Sequence, residues 1–283
     1  MIENVSGLPP EIINFKFHKN MEEEKQEGEQ EGEHSEEAEQ AKKEAWEAGE
    51  EEINLLLEKG AQKYFNTEFP DLERAFVKNI DTVTCIDEGC AHKDISGEGK
   101  LSIAGAGILL PARSEAERLE IAARLFKELG VKNVTSHEGC GAAKLAYTRD
   151  NPGSHPTPEQ ADKYAKQWAE KVADKMGESA AATDIPLAEM ERPAEFHNAR
   201  VLYFDAVGGF NPNKEKGLPM GFVISRRHVP GEYALEELKV AVDIAFSGHG
   251  FGTLFTPGNK FVIIPLAKDQ NSLKEITEEI KNA

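Results

Sequence analysis

Cysteine is scarce in this 283-residue chain, which has only Cys85, Cys90 and Cys140. Three thiols are too few, and too odd in number, for a disulfide framework. They read instead as ligands, nucleophiles or small buried residues of a protein in the reducing cytoplasm. Positive charge is also in deficit, with 33 Lys and Arg against 51 Asp and Glu and a net charge of −18. Affinity for a phosphate backbone is built largely from Lys and Arg, so nucleic acid is not an expected partner. No run approaches the roughly 18 apolar residues of a membrane span. The opening Met1-Ile2-Glu3-Asn4-Val5 is not the basic-then-apolar start of a secretory signal. Neither a membrane partner nor export by that route is expected.

What is present is unevenly spread. Six lysines against eighteen glutamates leave residues 1–60 at −12, two thirds of the chain's net charge. Residues 1–52 therefore read as an acidic N-terminal extension, partly disordered or a solvated helix, because so polar a stretch cannot bury enough apolar surface to fold alone. Within it, Ile12, Ile13, Phe15 and Phe17 form an apolar arm suited to packing on the body or on a partner. Residues 53–283 are long enough for a sizeable core, with 230–283 a C-terminal elaboration.

Strand-like and helix-like runs alternate through this body. Thr82–Ile86, Leu101–Ala104, Val131–Thr135, Val201–Phe204, Gly221–Ile224 and Lys260–Ile264 favour strands. Helices are expected from Ser114, which with Glu117 forms a capping box and is stopped by Gly130, and over 157–176 and 232–246. A last helix is expected to start at Ser272, with Glu275 completing its box. The alternation predicts an α/β fold with a mainly parallel central sheet flanked by helices. Ligands gather at the carboxyl ends of such strands.

Two segments fall at those ends: Cys85-Ile86-Asp87-Glu88-Gly89-Cys90 and Ser136-His137-Glu138-Gly139-Cys140-Gly141. A His and a Cys three positions apart in a tight turn can share one cation, and a Cys from a neighbouring strand can close the set. Thiolates and imidazole are zinc-preferring ligands, and three of them leave a fourth position open.

Cys-x-Asp followed by His-x-x-Cys-Gly resembles the signature of the β-class carbonic anhydrases. The Gly-interrupted apolar run Ile103 to Leu109 between the motifs, and the helix opening at Gly141-Ala142-Ala143, fit the resemblance, which covers roughly residues 53–226. It implies Zn2+ on Cys85, His137 and Cys140, with Asp87 as the catalytic residue that orients the zinc-bound water and Gly141 offering a backbone N–H to a bound anion. It further implies reversible hydration of CO2 to bicarbonate by zinc-bound hydroxide, and a homodimer or higher assembly. One position departs. The family motif carries Arg two residues after the Asp, where this chain has Gly89. That Arg keeps the Asp off the metal; here Lys93, His92, Arg226 or Arg227 would have to replace it. Two alternatives follow from the departure: hydrolysis of carbonyl sulfide or carbon disulfide on the same fold, or a non-catalytic, zinc-stabilised binding or regulatory protein with Asp87 closing the site.

Other features read more plainly. Cys90 has no place in the motif and reads as a core or loop thiol. Gly105-x-Gly107 lacks the third glycine and the following helix of a dinucleotide loop. Ser247–Gly252 reads as a helix-to-strand turn.

Overall fold

Runs rich in Val, Ile, Thr, Tyr and Phe become strands because branched and aromatic side chains fit a pleated, buried surface. The structure is a computed structural model that describes residues 36–95 and 99–283. The apolar arm and the acidic stretch up to residue 35 lie outside the described residues.

Three helices come first, α1 (Glu36–Ala48), α2 (Glu50–Lys59) and α3 (Ala61–Glu68). Then follow β1 (Ile80–Thr84), the single turn α4 (Glu88–Ala91), β2 (Gly99–Ser102), α5 (Glu115–Leu129) and β3 (Asn133–His137). Next are α6 (Gly141–Asp150), α7 (Pro158–Met176) and β4 (Ala181–Ile185). The chain closes with β5 (Val201–Asp205), β6 (Gly221–Ile224), α8 (Gly231–Phe246), β7 (Val262–Leu266) and α9 (Gln270–Lys281).

The fold is α/β, with parallel sheets flanked by helices. The strands divide between two sheets rather than one: β2-β1-β3-β4, and β6-β5-β7, with every pairing parallel. Both sheets are built on the same plan. In each, the first strand of the unit lies in the middle, the second and third flank it, and a long helix (α5 or α8) joins the second to the third. The two units meet where β2 and β6 abut. There the Ser225 N–H donates to the Ser102 carbonyl at 2.9 Å, and the Ser102 N–H donates to Ser225 Oγ at 2.8 Å. A side-chain oxygen thus takes the place of a ladder carbonyl, so the two edges join without merging into one sheet. Residues 230–283 supply α8, β7 and α9, and β7 is hydrogen-bonded along the whole of β5.

Local chemistry sets the helix ends. Ser114 Oγ accepts the Glu117 N–H, and Gly130 stops α5 at φ 85°. Thr157 and Gln160 form a complete capping box on α7. The last helix is a correction: its N-cap is Asp269, whose carboxylate accepts the Ser272 N–H at 2.9 Å, so the helix starts one turn earlier than expected. A carboxylate is as good a cap as a hydroxyl. Helix α1 is pinned by Trp46, which stands edge-on to Phe251 and Phe255 at 5.1 Å and carries the Arg200 guanidinium 3.6 Å over its ring. No helix among the described residues is long and apolar enough to cross a membrane.

Candidate metal centre

Strands β1 and β3 are neighbours in one sheet and run the same way, so both end at the same edge. Cys85 follows β1, His137 ends β3, and Cys140 caps α6 after a turn through Gly139 at φ 70°. Their ligand atoms all lie within 4.8 Å of one another, and all three residues are buried. Ligand atoms of a tetrahedral site of this kind stand about 3.4–3.8 Å apart. A buried Cys85–His137–Cys140 group therefore exists here and could hold a metal ion.

The imidazole is already oriented for it. His137 Nδ1 lies 2.9 Å from the Glu138 carbonyl, which fixes the Nδ1–H tautomer and leaves Nε2 as the ligand atom. Nε2 is buried with no hydrogen-bond partner, as a ligand nitrogen should be before a cation satisfies it. Charge in the trio is tightly coupled. The hydrogen bond from Cys85 lowers the Cys140 thiol, burial opposes it, and the backbone N–H groups of Ala143 and Ala142 help to lower it. The same contact, with burial, raises Cys85. Burial opposes charge on His137, but the Cys85 sulfur and Asp87 push its imidazole up to about 9. The group thus holds protons that a divalent cation would displace on binding.

The Gly-rich segment after β2 wraps over this trio. Gly105, Ala106 and Gly107 take φ of 53°, 51° and 83°, and Ala106 is the one non-glycine with positive φ among the described residues. A left-handed alanine is strained by about 1–2 kcal/mol, so something must hold it. Trp168 Nε1–H donates to the Ala106 carbonyl and Arg149 to the Ile108 carbonyl, both at 3.0 Å. The result is that the Gly105 N–H donates to Cys85 Sγ at 3.2 Å. A Cβ at Gly105 would stand 2.6 Å from Ile108 Cγ2, 3.0 Å from Ala142 Cβ and 3.5 Å from Cys140 Sγ. Ile108 and Ala142 leave no room for a Cβ there, and the bare backbone lets the Gly105 N–H reach Cys85.

Asp87, two residues after Cys85, is buried and caps α4 by accepting the Gly89 N–H at 2.8 Å. Its partner is Arg192, from the irregular segment after β4. Arg192 Nε lies 3.0 and 3.2 Å from the two carboxylate oxygens, and Nη2 lies 3.1 Å from Oδ2. Burial alone would raise the Asp87 carboxyl, but His197, Arg192 and His137 around it win and hold it well below the usual carboxylate range. None of the four expected substitutes does this. His92 Nε2 accepts the Gly221 N–H, Lys93 donates to the Glu189 carbonyl, Arg226 pairs with Glu279, and Arg227 is exposed. Gly89 explains why the arginine comes from elsewhere: a Cβ there would stand 2.7 Å from Arg192 Cγ and 3.0 Å from Met190 Cβ. The glycine leaves the path open for Arg192.

Beside this pair, Glu88 accepts from the Asn198 N–H at 2.9 Å and lies 2.9 Å from His197 Nδ1. Burial lowers His197, but Glu88 and Asp87 more than reverse that and raise it. Sequence reasoning missed Arg192 and His197, which sit in a stretch with no periodicity and no motif. Gly141 opens α6 with nothing within 4 Å of the place its Cβ would occupy. Cys90 is fully buried in the core and outside the metal group. No family model, curated protein or solved structure matches this chain.

Proposed function

We propose that this protein is a zinc-dependent hydratase of a small carbon electrophile, with CO2 the first substrate to test. The observation that carries the reading is the clamped carboxylate, Asp87 held by Arg192, next to a buried Cys–His–Cys group. Cys85, His137 and Cys140 would hold the zinc, the metal that this mixed soft-and-imidazole donor set prefers. Zinc in such a set supplies a Lewis acid that brings the ionisation of water toward neutral pH.

The chain's own residues do the rest. Asp87, kept ionised and tied down by Arg192, accepts a hydrogen bond from the attacking water and so turns a lone pair toward the carbon. The Gly105 N–H draws charge from the Cys85 sulfur, which keeps a two-thiolate set from blunting the cation too far. Both carboxylate oxygens of Asp87 are engaged by Arg192, which favours this open reading over one in which Asp87 closes the site as a fourth ligand. Hydrolysis of carbonyl sulfide or carbon disulfide would use the same parts and is separated by a substrate panel. A homodimer in solution goes with the reading, and light scattering on the full chain tests it.

The test is in two steps: zinc content of the purified full chain, then stopped-flow CO2 hydration between about pH 7 and 9. One zinc per chain with a rate well above buffer supports the proposal. A zinc-loaded chain with no rate above buffer on any substrate of the panel overturns it.

A further inference from the structure

Helix α8 carries two oxygen atoms that its surroundings leave unexplained. Tyr233 and Glu237 sit one turn apart and are 4% and 3% exposed. Glu237 Oε1 accepts the Ala104 N–H at 2.5 Å. Glu237 Oε2 and Tyr233 Oη are both buried and neither has a partner at good hydrogen-bond geometry, although the two groups are near enough for each to act on the other's ionisation. Burial pushes the Glu237 carboxyl up to about 8, against the pull of the Ala104 N–H and the nearby Tyr233, so near neutral pH it keeps its proton. Burial also raises the Tyr233 hydroxyl well above its ordinary value, with Glu237 and Cys85 adding to the effect.

Two O–H groups therefore face the interior together. Turning one toward the other can satisfy one proton at most, because each group has a single hydrogen to give. An unmet buried donor is costly, a cost that a bound acceptor would remove. The position says where that acceptor would sit. Ala104, which Glu237 holds, immediately precedes Gly105, whose N–H reaches Cys85 Sγ. Helix α8 belongs to the second unit, which among the described residues has no Cys/His/carboxylate group of its own able to hold a metal.

We propose that the second unit completes the first unit's site, with the Tyr233 hydroxyl and the Glu237 carboxyl presenting O–H donors to a small planar oxyanion of the carboxylate or bicarbonate class beside Cys85. The proposal rests on the hydratase reading for the identity of the anion, while the donor pair stands on two buried oxygens without a partner and on the proton that burial keeps on Glu237. Neutral donors suit this place. They recognise the anion without adding a cation that would compete with Arg192 for Asp87, and an ionised Glu237 would repel it.

Formate and 13C-bicarbonate binding to the zinc-loaded full chain, followed by NMR titration near pH 7, reads this directly. Tyr233→Phe and Glu237→Leu are each expected to weaken formate binding about tenfold or more, with zinc content and near-UV circular dichroism unchanged. Glu237→Gln keeps an acceptor for the Ala104 N–H and a donor on the other side, so it should stay within about threefold of the parent. Formate binding by Tyr233→Phe equal to the parent's, or no binding by the parent, overturns the proposal. Tyr233→Phe removes one buried oxygen and leaves the ring, so it remains informative if Glu237→Leu fails to fold. A chain that binds formate through this pair yet hydrates nothing would overturn the hydratase reading alone.

Discussion

Arg192 reaches Asp87 by passing over Gly89, and the two side chains, 4% and 5% exposed, form one of the most deeply buried ion pairs described in the molecule. Removing one partner of a buried pair leaves an uncompensated charge. Arg192→Ala should therefore lower the hydration rate by about 10–100-fold, the usual effect of losing a residue that orients a metal site, while zinc content stays near that of the parent. Gly89→Ala should do the same more weakly, because its methyl displaces Arg192 at Cγ. The double variant Gly89→Arg with Arg192→Gly moves the cation to the position the motif expects and should recover part of the rate lost in Arg192→Gly. No recovery would mean that Arg192 does more than neutralise Asp87.

The three candidate ligands should behave as a set. Cys85→Ala, His137→Ala and Cys140→Ala are each expected to take zinc from one per chain to near zero, because two remaining ligands cannot compete with a chelator for the cation. Cys90→Ala is the control. Its thiol is buried and raised chiefly by that burial, so the substitution should keep full zinc while lowering the thermal midpoint modestly. Zinc loss in Cys90→Ala at unchanged stability would put that thiol in the metal set.

Gly105→Ala tests the wrapped segment. The added methyl meets Ile108 and Ala142 at or inside 3.0 Å, at a positive φ. Overpacking of this kind costs about 1–3 kcal/mol. The hydrogen bond to Cys85 Sγ should be lost with it, so zinc dissociation, followed by chelator competition, is expected to quicken. Unchanged stability and unchanged zinc release would show that the segment has room to shift.

Glu237 makes stability depend on pH in a defined direction. Its carboxyl is raised from 4.5 to about 8 by burial, so between those values the folded chain keeps a proton that the unfolded chain releases. Its contribution is full below about pH 4.5 and declines by about 1.4 kcal/mol per pH unit toward pH 8. Glu237→Gln should remove that decline, giving a higher urea midpoint than the parent at pH 8 and a smaller difference at pH 5. Parallel decline in both proteins would assign the pH dependence to other groups.

Much of the arrangement is legible in the order of residues alone. The alternation of Val/Ile/Phe runs with capped helices implies the α/β class, and the spacing of Cys85, His137 and Cys140 places three candidate ligands at one sheet edge because parallel strands end together. The division into two sheets is not legible, since it turns on a single side-chain bond at Ser225. Strand β4 escapes a reading by pattern because Ala181-Ala182-Thr183-Asp184-Ile185 is an exposed edge with one buried residue and no apolar alternation. Arg192 escapes it for a deeper reason. Its contact with Asp87 spans 105 positions of chain, and nothing local marks an arginine as the partner of a distant carboxylate. Gly89 is the only local trace of it, a departure from the motif whose cause lies far along the chain.

The parts of the site are strung along the chain in the order of their roles. Residues up to Cys140 contain all three candidate ligands, the clamp arrives only at Arg192, and the donor pair only at Tyr233 and Glu237. A ribosome therefore releases the ligands before it releases the means to govern Asp87. On the proposed reading, a truncated product ending between Cys140 and β4 would hold all three candidate ligands while lacking Arg192, Tyr233 and Glu237. On the same reading, transplanting the two short segments into another scaffold would carry over the candidate ligands and leave the clamp and the donor pair behind.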